Sequence, residues 1–492
     1  MSDYSAAMAV LEADGRHAEP AITAAPTAHT LHFVALAVAA FGIYWLSAMV
    51  LENRGARQYF GADYWWYAKL AHGEVIGRIA RFHPLTIGMA LAWMKIFAPL
   101  TAWITEQHLL NAMFAAIGAA GCWAATRAFA AVMPHRYALL WGMIYASTFG
   151  IWYFASIEES KITTAALTAF YIAFYLQLRE NWTLRGAWLL AATLFLACLN
   201  EITACFLVII PLVDTFVQRG WNWRHYPWIV AHALVAPFAL GISEGVVSGW
   251  LVARETDPDG ASQLSMFLQY LSWAKYSLTS LYGFACNWLF FNIAAPTANA
   301  PYYIGAGWKN GGYFEPVMSN YFSSPVSAAV IILLGAIIAV AVFWPRDRIE
   351  QPRNLTGLML ALAAYTLMRA TFFFIFNPPE PLLFSTSVTL AYLLMVGIPF
   401  TAARFPEKDL LLTAFLTLLL VSNSTFIMGR CEMTACIAND TQPTSSAPSP
   451  SAAISAKPAL KKQAKSTGGR QLRKVAKLPR KLRNGGRSRR LA

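Results

Sequence analysis

Runs of about 18 to 25 largely apolar residues recur through this 492-residue sequence, and a run of that length crosses a ~30 Å hydrocarbon core as one helix. Water is absent at that depth, so each backbone N–H and C=O must find its partner within its own segment, as it does in a helix. The chain is therefore expected to be all-α, a polytopic transmembrane bundle of about 11–12 spans. Composition agrees. Hydrophobic residues make up 57% and charged residues only 13%, against ~25% charged in a soluble domain. A soluble globular enzyme, a disordered chain and a secreted disulfide scaffold are excluded.

Spans are expected at 31–51, 108–132, 137–155, 160–178, 184–199, 202–218, 226–252, 325–344, 355–376, 382–400 and 409–428. Residues 1–30 are Ala-rich with one Arg and lack the basic start of a secretory signal, so the first span is expected to stay uncleaved. A polar, aromatic stretch runs from Glu52 to His83. The segment from Pro84, "PLTIGMALAWMKIFAPL", reads as a helix in or dipping into the interface, with Trp93 and Lys95 at headgroup depth. Region 253–324 reads as a second large loop holding one in-plane or partly inserted helix over 266–291. No internal repeat stands out.

Basic residues on short connections orient the bundle. Arg127/Arg136, Arg179/Arg185, Arg219/Arg224, Arg346/Arg348/Arg353 and Arg404/Lys408 fall on alternate connections, all cytoplasmic if 1–30 is. Segments 52–107, 156–161, 200–201, 253–324 and 377–381 then share the outer side. The chain divides into a cytoplasmic segment 1–30, a membrane domain 31–428 and a basic tail 429–492. A true span at 266–291 would bring the tail inside but turn the three Arg at 346–353 outward. Eleven spans, the preferred reading, put the tail outside.

That tail holds the whole charge excess. Lys457 to Ala492 carries 14 Lys and Arg and no acid; removing them from 38 leaves 24 basic against 25 acidic residues. With the Pro/Ser/Ala-rich stretch before it, the tail is expected to be disordered. It suits anionic lipid headgroups, and no specific nucleic acid is expected. Cys122, Cys198, Cys205 and Cys286 read as small core residues. Cys431 and Cys436 flank a short loop after the last span and can pair on an oxidising side.

Polar residues that interrupt the apolar pattern are the candidate site. Asp63, in "YFGADYWWY", is a lone carboxylate walled by aromatics on the first outer loop. Partial desolvation would raise its pKa toward that of a general base; a loop or cap Asp is the plain alternative. Glu158, Glu159 and Lys161 in "SIEESKI" mark a span boundary, orient an acceptor or hold a metal. Asn200 and Glu201 break the apolar run "FLACLNEITACFLVII", and polar groups at such depth pair or line a cavity. Glu244 and Arg369 also sit inside expected spans. Arg369 suits a lipid phosphate or snorkels to the interface. Together Asp63, His83, Glu158, Glu159, Asn200, Arg369 and Glu380 map to one membrane face.

These segments, in order, resemble the GT-C superfamily of membrane glycosyltransferases, nearest to bacterial protein O-mannosyltransferases and lipid A aminoarabinose transferases. The likeness lies in "GADYWWY" after a first span, "RFHPLTIGMALAWMKIF" about twenty residues on, "WYFASIEESKITTAALTAFYIAFYLQLR", and "LACLNEITACFLVIIPL". It covers roughly residues 31–218. Leu85 stands where the family pattern has a second Pro, and Asn200–Glu201 where one branch has Asn-His. The resemblance implies a GT-C fold in the bacterial inner membrane. It implies transfer of a sugar from a polyprenyl phosphate to a glycan, lipid or protein acceptor, with inversion and Asp63 as base. Glu159, with Glu158, takes the position of the family's second-loop acid, which in some members helps bind a divalent metal; Asp63 and Glu159 would be the ligands. Arg81, His83, Glu158, Lys161, Asn200, Glu201, Arg369 and Glu380 are then expected to line the substrates, with Arg81, Lys161 or Arg369 on the departing phosphate. Two other classes fit the composition. A transporter or lipid flippase would use the intramembrane charges as its pathway, although it commonly shows matching repeats. A catalytically inactive membrane scaffold would recruit a partner through the tail.

Overall fold

The computed structural model of the chain describes residues 27–53, 67, 82–180, 182–221, 226–242, 268, 271, 276–296, 318–345, 355–377 and 380–440, with side chains of the last helix described to Met428. The described residues are helical, with no strand among them. By contact clustering, Met1–Ala438 forms one unit and Asn439–Ala492 another; the elements below belong to the first.

Helix α1 is Thr27–Asn53, α2 Pro84–Ile96, α3 Glu106–Ala130, α4 His135–Ser147, α5 Phe149–Ala155, α6 Lys161–Leu178 and α7 Leu184–Asn200. A 3-10 helix, Ile202–Val208, leads into α8, Ile209–Arg219. After two short helices, α9 (Pro227–Ala233) and α10 (Val235–Ile242), come α11 (Leu278–Cys286), α12 (Pro325–Phe343) and α13 (Leu355–Phe376). The chain then forms α14 (Pro381–Ser385), α15 (Thr389–Thr401) and α16 (Lys408–Asp440).

Seven of these segments are long and apolar enough to cross a membrane: Thr30–Glu52, Glu106–Ala130, Ile202–Arg219, Pro325–Phe343, Leu355–Phe376, Pro381–Thr401 and Lys408–Met428. The pair α4 and α5, bent by 59° at Thr148, makes an eighth when taken as one broken span and is otherwise a re-entrant loop. The remaining three expected spans fall short. Helix α6 keeps its predicted length, but its three threonines, two tyrosines and Gln177 lower its mean hydropathy. Helix α7 is too short. The expected span 226–252 is broken into α9 and α10, and its last residues lie outside the described ones.

The core forms around α3 and α6. Helix α3 is built of Ala and Gly, and its small side chains let neighbouring backbones come close. A Cβ at Gly118 would meet the Ala155 Cβ at 2.6 Å, and one at Gly121 the Ala166 Cα at 3.1 Å. Helices α1 and α4 also pack on α3, α7 packs on α6, and α8 pairs with α13. On α2, Trp93 Nε1 donates to the Leu109 carbonyl at 2.9 Å; Ile96 at its end is exposed, as are Leu100 and Trp103 just beyond it.

The chain after α11 packs into the bundle: Asn287, Trp288 and Phe291 to Ala295 are buried. The Phe149 and Gly150 N–H groups at the start of α5 donate to the Ile293 and Asn292 carbonyls, each at 2.9 Å, and Asn423 bridges Ser147 O, Ile293 O and Ala295 N. This stretch, a turn of π-helix over Asn287–Phe291 and the turn that follows it, satisfies backbone groups that the α4–α5 break leaves open. Helix α16 continues to Asp440, so Cys431 and Cys436 lie on a helix where a loop was expected. Cys122, Cys198 and Cys286 are buried and free, and Cys205 is half-buried and free.

Candidate functional site

Of the described polar residues singled out above, His83, Lys161, Asn200, Glu201 and Arg369 gather where α2, α6 and the 3-10 helix begin and α7 ends. Asn200, the last residue of α7, is the hub. Its Nδ2 donates to the Ser160 carbonyl at 3.0 Å and to Thr164 Oγ1 at 2.9 Å. Its Oδ1 accepts from Thr86 Oγ1 at 2.5 Å. Its backbone carbonyl lies 2.6 Å from His83 Nδ1. A carbonyl only accepts, so Nδ1 carries the ring proton and Nε2 is left with a lone pair. Burial, then the Lys161 charge, pull the imidazole pKa down to about 3; His83 is neutral at pH 7. Helix α2 is thus pinned at its first turn to α6 and α7.

Beside the hub lies an ion cluster. Glu201 Oε2 accepts from Lys161 Nζ at 3.1 Å and from Thr164 Oγ1 at 3.4 Å. Its Oε1 accepts from Arg369 Nη2 at 2.6 Å and from Thr203 Oγ1 at 2.5 Å. The side chains of Lys161, Glu201 and Arg369 are 6%, 8% and 0% exposed. Burial alone would raise the Glu201 carboxyl; the Lys161 and Arg369 charges and the Thr203 and Arg369 hydrogen bonds outweigh it and hold the pKa well below the usual carboxylate range. The two cations stand over a pair of rings: Lys161 Nζ is 4.4 Å from the Phe384 centroid and the Arg369 guanidinium carbon 5.0 Å from that of Phe373. Those rings stack at 3.8 Å.

Arg369 does not snorkel to an interface: it is fully buried and bound to Glu201 and Thr203. Glu159 Oε1 accepts from Ser160 Oγ at 3.0 Å, Glu158 accepts from Gln107 Nε2, and Glu380 accepts from Asn377 Nδ2. Asp63, Arg81 and Glu244 lie outside the described residues. Among the described residues no group of three or more His, Cys, Asp or Glu side chains is placed to hold a metal.

Sequence reasoning missed Thr86, Thr164, Thr203, Phe373 and Phe384. Threonine in an apolar run and phenylalanine in a Phe-rich helix carry no local signal. It also missed a second buried ion pair at the far end of α6. Arg179 binds Asp214 through Nε (2.6 Å) and Nη2 (3.0 Å), and Tyr175 OH and Gln218 Nε2 add bonds at 2.6 and 2.7 Å.

No protein-family model matches the chain, and no curated protein matches it. The architecture is that of a helical polytopic membrane protein.

Proposed function

We propose that the protein is a membrane glycosyltransferase of GT-C type. It moves a sugar from a polyprenyl-phosphate donor to a glycan, lipid or protein acceptor at the outer face of the bacterial inner membrane. The observation that carries this reading is the buried cluster in which two cations, Lys161 and Arg369, share one carboxylate, Glu201. It lies at the end of the bundle to which His83 returns the first loop, the loop that bears Asp63.

In this reading an acceptor hydroxyl or amine attacks the anomeric carbon and its proton passes to Asp63. The bond from that carbon to the phosphate oxygen breaks, inverting the configuration, and the polyprenyl phosphate leaves with the electron pair. Positive charge at Lys161, Arg369 and Arg81 stabilises the departing phosphate, a preorganised electrostatic contribution. Proton removal by a positioned carboxylate contributes ~10²–10⁴-fold. Binding both substrates at the membrane surface supplies proximity.

A second reading, a transporter or lipid flippase, draws on the 59° break between α4 and α5, since discontinuous helices are common at transport sites. One assay separates the two. Wild type and Asp63→Asn in lipid nanodiscs are given a panel of polyprenyl-phospho-sugars and a membrane extract as acceptor, and free polyprenyl phosphate is measured. Wild type should release it from one donor and Asp63→Asn should lose at least 10²-fold in rate, with unchanged thermal unfolding. Full activity in the variant removes Asp63 as base; no release from any donor removes the transferase reading.

A further inference from the structure

The cluster has more hydrogen-bond donors than its one carboxylate uses. A lysine ammonium has three N–H donors and a guanidinium five. Lys161 gives one hydrogen bond, to Glu201, and otherwise faces the Phe384 ring. Arg369 gives one bond each from Nη1 and Nη2, and its Nε is buried with no partner at all. A buried charged N–H without an acceptor is costly. The three side chains also carry two positive charges against one negative. Spare donors and spare charge in one buried place match a group with more oxygens and more charge than a carboxylate has, which is the chemistry of a phosphate ester.

Glu201 is also placed so that it can leave. It sits in extended backbone, φ −154° and ψ 112°, at the break between α7 and the 3-10 helix. Turning its side chain away unwinds no helix. The cations would stay in position, because each stands over a ring of the stacked Phe373–Phe384 pair. Thr203 Oγ1, which bridges Arg369 Nη1 and Glu201 Oε1, is then free to donate to an incoming oxygen.

We infer that Lys161 and Arg369 form an anion site for a phosphate-ester group, and that Glu201 is its exchangeable counter-ion, filling the site when no phosphate is bound and giving way when one arrives. The inference rests on the transferase reading only in taking that phosphate from a prenyl lipid; a free phosphate offers the same oxygens. Glu201 therefore sets the affinity of the site by competing with the ligand from within the chain.

The test uses the full-length protein in nanodiscs, titrated with farnesyl phosphate and, separately, with inorganic phosphate, with binding followed by tryptophan fluorescence. Glu201→Gln should bind farnesyl phosphate at least tenfold more tightly than wild type, and Lys161→Met and Arg369→Met at least tenfold more weakly. Glu201→Asp keeps the charge but is one methylene too short to reach both cations; it folds even if Glu201→Gln does not, and should bind about threefold more tightly. Unchanged or weaker binding in the folded Glu201 variants overturns the proposal and makes Glu201 a structural partner only. Inorganic phosphate binding as tightly as farnesyl phosphate keeps the site but assigns it to free phosphate. Tighter binding without any sugar transfer keeps the anion site and removes the transferase reading, whereas transfer by wild type with no tightening removes only the exchangeable counter-ion.

Discussion

His83 shows how far one hydrogen bond can determine the state of a residue. Donation from Nδ1 to the Asn200 carbonyl fixes the tautomer, and burial together with the Lys161 charge keeps the ring neutral, its pKa pulled down to about 3 from the ordinary imidazole value of 6.5. The unfolded chain binds a proton below about pH 6.5 and the folded chain does not until about pH 3, so acid favours unfolding. Stability should fall by ~1.4 kcal/mol per pH unit as pH drops from 6.5. Glu201 acts in the same direction but only below its unfolded value of ~4.3, so the window from pH 6.5 to 5 separates His83 from Glu201. In His83→Asn the amide can still donate to Asn200 but does not titrate. Its thermal midpoint should lose less than that of wild type between pH 7 and 5; parallel curves would show that His83 charges as freely when folded as when unfolded. Asn200, Glu201 and Arg369 were legible as interruptions of apolar sequence, Lys161 as part of a polar cluster between spans, and His83 at the end of the polar first loop. Their pairing was not, since Glu201 and Arg369 are 168 positions apart and nothing local marks which carboxylate an arginine will meet.

Helix α6 is fastened at both ends by ion pairs of different character. At its start Lys161 shares Glu201 with a second cation, and the cluster has donors to spare. At its end Arg179 meets Asp214 in a bidentate pair, with Tyr175 and Gln218 completing the carboxylate's partners, so this is a closed lock between α6 and α8. Helix α13 lies directly against it: a Cβ at Gly357 would meet Asp214 Oδ1 at 2.5 Å. Asp214→Asn leaves a buried guanidinium without its charge partner and should cost ~3 kcal/mol, read as a lower thermal midpoint in detergent. The two ends of an 18-residue helix are ~27 Å apart at 1.5 Å per residue. Farnesyl phosphate affinity should therefore be unchanged in the folded variant, and a joint loss of stability and affinity would show that the far end shapes the anion site. In the sequence Arg179 read only as a topology marker. Its role as a lock depends on Asp214, an acid inside the expected span 202–218 that the sequence reading did not single out.

At the scale of the whole molecule, three of the basic connections expected to orient the bundle meet in space. Arg136 pairs with Asp409, Lys408 Nζ caps the Thr401 and Ala403 carbonyls, and the Arg404 N–H donates to the Pro345 carbonyl. The tail 443–492, with its 14 basic residues, takes no part in the chemistry proposed above. Its deletion should leave donor turnover and the thermal midpoint at wild-type values while weakening binding to vesicles rich in anionic lipid, by ~1 kcal/mol per lost surface contact. A folded but inactive truncation would make the tail part of the site.

Apolar run length and the small charged fraction determined by themselves that this chain is a helical membrane protein, because hydrocarbon leaves the backbone few other choices. They also located seven of the spans, and they singled out the polar residues that such a setting makes costly. Tertiary structure decided the rest. It bent α4 against α5 and drew the chain beyond α11 into the core, because broken helix ends need carbonyl and N–H partners that another segment must supply. It also joined Glu201 to Lys161 and Arg369, because buried charges pair with whatever opposite charge the packing brings within reach, and sequence spacing does not encode that distance.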